Sequence, residues 1–388
     1  MIPDSAAVEI GRDQEPQQLN DALTARRTAA GIVEPHRAMG GRGWGIMRYK
    51  DLHEARQGAR DIDFYLVAVS PPDANGYCSF GGSLTTKKET AALARTVIAE
   101  VLDTPRMRLR AFGESLIHVS EINWFVENLR TDLKSRVAGH WDEPDDDAKA
   151  IAKYVGELVK DGDTIEVGTG GTTELLIRLG AFDGRKDIGI HTGRLVPGMI
   201  DLVRAGIATG KRKTLNPGKV IFSATSDESE DNLSFVNQNP MFEMRAEAYV
   251  NSPLVIAQND NYVAINGVLS IDLLGQITSE STGTRIAGIS GGLPGFVLGA
   301  AFSKGGRNIM ALRSTAGRGS ISRIVAKFAA GVRVTIPYTF ADIVVTEYGV
   351  AHLLGKSFPE RAESLIAIAH PDFRDELRAE FATLDWAH

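Results

Sequence analysis

Cysteine is almost missing: Cys78 is the one thiol in 388 residues. It has no partner for an internal disulfide, which excludes a disulfide-stapled scaffold and suits a reducing compartment. No stretch approaches ~20 consecutive apolar residues, so no membrane-spanning helix is expected. Long basic runs are missing too. The 43 Lys and Arg stand against 49 Asp and Glu, a formal charge of −6, which argues against nucleic acid and anionic membrane as partners. The opening MIPDSAAVEIGRDQ lacks the basic and apolar regions of a signal peptide, and these absences together point to the cytoplasm. Glycine, by contrast, is plentiful at 40 residues, which fits many tight turns between strands and helices. A chain of this length is expected to form two domains, each with its own core.

Residues 161–201 organise the rest. Thr164-Ile165-Glu166-Val167 is a β-branched run, followed at once by Gly168-Thr169-Gly170-Gly171. Thr172 and Thr173 can start a helix carrying Leu175, Leu176, Ile177 and Leu179, Gly180 ends it, and Asp187 to His191 reads as the next strand. This is a βαβ unit with a glycine loop at the carboxyl end of its first strand, where open α/β sheets place ligands. Glycines there let several backbone N–H groups approach an oxyanion or phosphate. The loop is not a full dinucleotide fingerprint, because Thr173 stands where the third glycine would be. A tight turn without a ligand is the competing reading.

Before this unit, a strand at 8–10, helices at 17–29 and 52–59, a strand at 64–69 and a helix at 87–100 whose last residues run into a strand are expected. Pro71, Pro72, Asn75 and Gly76 make a firm turn. The acidic run 142–147 reads as a solvated helix start rather than a metal site, and no metal is expected. After it come a helix at 199–205 and strands at 219–223, 254–257, 262–265 and 271–274. The acidic loop SDESEDN sets a boundary, giving domains 1–222 and 223–388. In the second half a glycine loop, Ser290-Gly291-Gly292-Leu293-Pro294-Gly295-Phe296, opens an apolar helix and can offer backbone donors to an anion. The loop 314–320 and Glu347 at a strand end carry further chemistry-shaped features.

Taken together, VSPPDANGYCSFGGS (69–83), IHVSEIN (117–123), VGTGG (167–171), DIGIHTG (187–193), YVNSPLVIAQNDNYVAINGVLS (249–270), SGGLPGF (290–296), STAGRGSISRIV (314–325) and VVTEYGVAHLLGKSFPERAE (344–363) resemble the acetyl-CoA hydrolase/transferase family, which includes acetate and 4-hydroxybutyrate CoA-transferases. The resemblance runs in family order over residues 62–380. It implies an α/β protein: two similar open α/β domains of the CoA-transferase type packed face to face, a homodimer or larger, with coenzyme A as substrate or product. It implies a backbone oxyanion hole from Thr169 and from Gly291 or Gly292. Gly168, Gly170, Gly171, Asn266, Gly267, Ser290, Phe296 and Ser314 would line the acyl-CoA.

Family members attack the thioester with a glutamate, whose acyl adduct stays activated enough for a thiol to recapture. Here that position is Gly193, which has no side chain, and the second loop ends in Gly295-Phe296 rather than Asp-Phe. The first domain is also shortened ahead of Trp44. Candidate substitutes are Glu174, just past the first loop, Glu166 on the strand before it, and His191 as a general base; each has a bland reading as a cap, a core-edge residue or a satisfied hydrogen-bonding group. Glu121, Glu280 and Glu347 read as scaffold or CoA-loop groups. Three functions remain open: thioester hydrolysis or direct transfer without a glutamyl-CoA intermediate, C–C cleavage of a cyclic or β-oxo acyl-CoA, and a non-catalytic CoA-binding partner subunit.

Overall fold

The computed structural model describes residues 62–127, 144–227, 229–288 and 290–387. The strand at 8–10 and the helices at 17–29 and 52–59 lie outside the described residues. Within them, one compact unit takes 62–127 and 229–248, and the other takes 144–227 and 249–387. No helix among them is long and apolar enough to cross a membrane.

The first unit carries a parallel sheet of β1 (Phe64–Val69), β2 (Thr96–Val101) and β3 (Trp124–Glu127), with β2 in the middle. The expected turn after β1 is locked by Asp73, whose Oδ1 accepts from the Asn75 and Tyr77 N–H groups at 2.9 Å each.

The second unit is built on a larger sheet. In chain order it begins with helix α1 (Asp146–Leu158), strand β4 (Thr164–Val167), helix α2 (Leu175–Arg178), strand β5 (Gly189–Leu195), helix α3 (Met199–Arg204) and strand β6 (Val220–Thr225). It continues with α4 (Pro253–Ile256), β7 (Tyr262–Gly267), α5 (Leu293–Phe302), β8 (Arg307–Ala311), β9 (Ile343–Thr346), β10 (Gly349–His352), α6 (Phe358–Ala367) and α7 (Pro371–Phe381). The spatial order is β10-β9-β8-β7-β4-β5-β6, and all pairs are parallel except β9 with β10. Runs such as VIFSAT, buried at every position, are what a parallel sheet covered on both faces requires.

Local chemistry accounts for the helices. Asp145, from the acidic run, caps α1 by accepting from the Ala148 N–H at 3.0 Å, and Ile151, Ala152 and Val155 form its buried stripe. Helix α5, LPGFVLGAAF, is apolar on all sides and mostly buried up to Ala300. Pro294 in its first turn gives up an N–H that the helix could not use.

Three expectations are corrected. The strand at 254–257 is instead the short helix α4: Ser252-Pro253 starts a helical turn, and Ile256 packs where a Cβ on Gly299 of α5 would stand. Strand β5 runs on to Leu195, so Gly193 lies within a strand rather than in a loop after it. Thr172 and Thr173 do not cap α2: the N-cap position is Glu174, and the Thr173 hydroxyl donates to the Gly168 carbonyl at 2.6 Å. Separately, position 222/223 falls within β6.

Candidate active site at the carboxyl edge of the sheet

The chain runs from β4 outward through β5 to β6, then returns to lay β7 on the other side of β4. The gap between β4 and β7 is therefore a topological switch point, where parallel sheets bind ligands beyond the carboxyl ends of their strands. The loop 168–171 follows β4 there, and Asn266-Gly267 close β7 beside it. Gly193 near the end of β5 and Ser314 just past β8 lie at the same edge. The amino end of α5 joins them, since this helix runs back along the sheet towards the start of β8.

Gly168 is held against Asn266: a Cβ on Gly168 would stand 2.3 Å from Asn266 Oδ1, so no larger residue fits. Its N–H donates to the Ile265 carbonyl at 2.8 Å. Asn266 Nδ2 in turn donates to Glu166 Oε2 at 2.8 Å. Glu166 is buried, and desolvation pushes its carboxyl up to about 8 against the pull of the Asn266 hydrogen bond, so it carries its proton at neutral pH. It points into the protein, beneath the loop.

Glu174 does the opposite job, closing the loop from its far end. Its Oε1 accepts from the Gly170 N–H at 3.3 Å, and burial raises its carboxyl while that N–H and the Arg194 guanidinium oppose the shift. Among the described residues the Thr169 N–H has no hydrogen-bond acceptor, and the same holds for the Gly292 N–H at the start of α5. These are the donors an oxyanion would need. Gly291 adopts φ +55°, the left-handed turn that brings the chain into α5.

Gly193 faces α5. A Cβ on it would meet Asn251 Oδ1 at 3.3 Å and the Phe296 ring at 3.4 Å. Phe296 also lies 2.7 Å from a Cβ placed on Gly292, so its ring spans the two glycines. His191, two residues earlier on the same face, is fully buried. Its Nε2 donates to the Val250 carbonyl at 2.8 Å, and its ring meets Tyr262 edge-on. Burial, helped by the Lys213 ammonium, lowers it to about 3. The imidazole is therefore neutral, with Nε2 committed to the Val250 carbonyl and Nδ1 left as an acceptor.

The remaining acids are spent locally. Glu347 accepts from the Ser314 N–H at 2.9 Å and from its hydroxyl, which fixes the loop after β8. Glu280 accepts from the Thr335 hydroxyl at 2.9 Å, and Glu121 from the His118 N–H at 3.0 Å. Among the described residues no group of His, Cys, Asp and Glu is placed to hold a metal. A depression of about 330 Å³ in the first unit is lined by Arg108 and Arg110, but each is already paired, with Asp103 and Asp73.

Two residues at the edge escape sequence reasoning. Asn251 and Ser223 are polar residues interrupting the mostly apolar runs YVNSPLVI and VIFSAT, and that interruption was the available signal. Which of them faces Gly193 depends on strand pairing and helix docking.

Residues 229–381 match the family model of the acetyl-CoA hydrolase/transferase C-terminal domain. The 4-hydroxybutyrate coenzyme A transferase of Clostridium kluyveri is 42% identical over 321 residues, covering 82% of this chain and 72% of that protein. Succinyl-CoA:cyclohexane-1-carboxylate CoA transferase of Geobacter metallireducens is 38% identical, covering 87% of this chain and 75% of that protein. Among solved structures, RipA from Yersinia pestis superposes with a TM-score of 0.73 at 35% identity, covering 93% of this chain and 78% of that one. The 4-hydroxybutyrate CoA-transferase of Porphyromonas gingivalis gives 0.72 at 39% identity, covering 86% and 78%.

Proposed function

This chain belongs to the acetyl-CoA hydrolase/transferase family, and from that premise we propose that it is an enzyme acting at the thioester carbonyl of an acyl-CoA without forming a glutamyl-CoA intermediate. The observation that carries the reading is Gly193. A strand residue facing α5 at the switch point has no side chain to become acylated, while the donors around it remain available.

The Thr169 and Gly292 N–H groups would hold the carbonyl oxygen as it gains charge, each such donor being worth about 2.7–4 kcal/mol in acyl transfer. Gly168, Gly170, Gly171 and Ser290 give the thioester close access to the backbone; Asn266, Gly267, Phe296 and Ser314 flank it. The nucleophile then attacks directly and CoA leaves as the thiolate.

The test has two stages. CoA and acetyl- or butyryl-CoA should each raise the melting temperature of the protein. Incubation with acetyl- or butyryl-CoA should then release free thiol, and Gly292→Ala, whose added Cβ would strike Phe296, should slow that release at least tenfold. A protein bound by CoA but inert toward every acyl-CoA offered would be a binding subunit, and the proposal would fall. Turnover restricted to β-oxo or ring-containing thioesters would move the reaction to C–C cleavage.

A further inference from the structure

Three buried polar atoms on the α5 face of the sheet have no hydrogen-bond partner among the described residues: Asn251 Oδ1, Ser223 Oγ and His191 Nδ1. Asn251 is 6% exposed, and Ser223 and His191 are fully enclosed. An unpaired buried polar atom costs about 1–3 kcal/mol, so three of them around one backbone position call for an explanation.

That position is Gly193. Asn251 Oδ1 lies 3.3 Å from where its Cβ would be. Ser223 is level with it on the neighbouring strand, because Thr192 pairs with Phe222 and Arg194 with Ala224. Ile221, two residues before Ser223, packs in the cluster with Phe296 and Tyr262, which sets Ser223 on the α5 face. His191 precedes Gly193 by two residues and shares that face.

The chemistry of the three atoms selects the occupant. An amide oxygen only accepts. Because His191 Nε2 donates to the Val250 carbonyl, its Nδ1 is a bare acceptor as well. Only the Ser223 hydroxyl can donate. A carboxylate brings no hydrogens and would set its charge against two acceptors. Water brings two hydrogens for Asn251 and His191, takes one from Ser223, and keeps a lone pair for the carbonyl carbon.

We infer that Asn251, Ser223 and His191 hold an attacking water over Gly193, making this protein an acyl-CoA hydrolase rather than a transferase to a carboxylate acceptor. The inference rests on the acyl-CoA reading above. In the step, the water oxygen bonds to the acyl carbon and the carbonyl oxygen takes up the electron pair on the backbone donors. The C–S bond then breaks. One water proton ends on the CoA thiolate, the other is released as the carboxylic acid ionises, and nothing is oxidised or reduced.

The full chain would be given acetyl- or butyryl-CoA in ¹⁸O-enriched water, with and without added acetate or 4-hydroxybutyrate. Thiol release should proceed at the same rate in both cases, with solvent ¹⁸O in the product acid. Asn251→Ala should lower kcat about tenfold to a hundredfold while KM and the CoA-induced shift in melting temperature stay put, and Asn251→Asp, which keeps an acceptor, should recover part of the loss. Ser223→Ala guards against a folding artefact: losing an unpaired hydroxyl should leave the melting temperature unchanged or higher while kcat falls. Turnover that needs an added carboxylate, an acid without solvent oxygen, or wild-type kcat in both Asn251→Ala and Ser223→Ala would overturn the inference while leaving the acyl-CoA reading standing. Failure of CoA and acyl-CoA to stabilise the protein would remove both.

Discussion

Two clusters packed on the second unit's sheet treat buried polarity in opposite ways. The larger, running from Val268 to Leu384, encloses Leu365, Ile366, Leu353 and their neighbours. Beside it the buried guanidinium of Arg361 donates from each of its three nitrogens, to the Leu274, Leu353 and Tyr338 carbonyls at 2.8–3.0 Å. The smaller, beneath α5, gathers Ile221, Val250, Ile256, Tyr262, Ala264, Phe296 and Ala300, with unpaired atoms of His191, Asn251 and Ser223 on the same face. The first region satisfies its buried Arg361 cation, which contributes stability. The other leaves those three atoms unsatisfied at the edge where strands place ligands, which is the arrangement expected of a site.

The largest effect that would test this contrast is Arg361→Leu. It strands three carbonyls and should cost about 3–5 kcal/mol in a denaturant melt, without changing the CoA-induced stabilisation of whatever folds. A loss below about 1 kcal/mol would show that the C-terminal cluster does not depend on that cation.

Next comes pH. Glu166 is raised from 4.5 to about 8 in the folded state. Below the lower value both states hold the proton. Between the two values only the folded state does, so stability should fall as pH rises, by up to about 1.4 kcal/mol per pH unit. Above about 8 the loss is complete. Glu166→Gln, which still accepts from Asn266, should flatten that part of the stability profile. An unchanged slope would place the titration elsewhere.

Gly193→Ala should cost about 1 kcal/mol or less, because its Cβ meets Asn251 and Phe296 only slightly too closely. Gly193→Glu combined with Phe296→Ala should gain exchange of CoA onto a labelled carboxylate, whereas Gly193→Glu alone has the ring in its way. Equal exchange in both would mean that Phe296 does not restrict the position. The smallest change is Ser314→Ala, about 0.5–1.5 kcal/mol from the loss of its hydroxyl bond to Glu347, read as a lowered melting temperature.

What could be read from sequence was local. Thr164–Val167 as a strand, the glycine loop after it, the α3 helix and the helix start in the acidic run all follow from neighbouring residues, and each is where it was expected. The reading of 254–257 as a strand went wrong because four apolar residues fit either period, and Ser252-Pro253 decided for a helix. Gly193 was recognisable as a position without a side chain, but its place inside β5 depends on how far β5 pairs with β6.

By itself, then, the sequence determined the alternation of strands and helices, the two glycine loops and the absence of a carboxylate at Gly193. These depend on backbone preference and side-chain identity over a few residues. Tertiary structure alone decided that β7 returns beside β4 to make the switch point, that Glu166 is sealed and protonated while Glu174 closes the loop, and that Asn251 and Ser223 face Gly193. Each of those depends on parallel strands pairing across long stretches of chain, and on burial, which no local window contains.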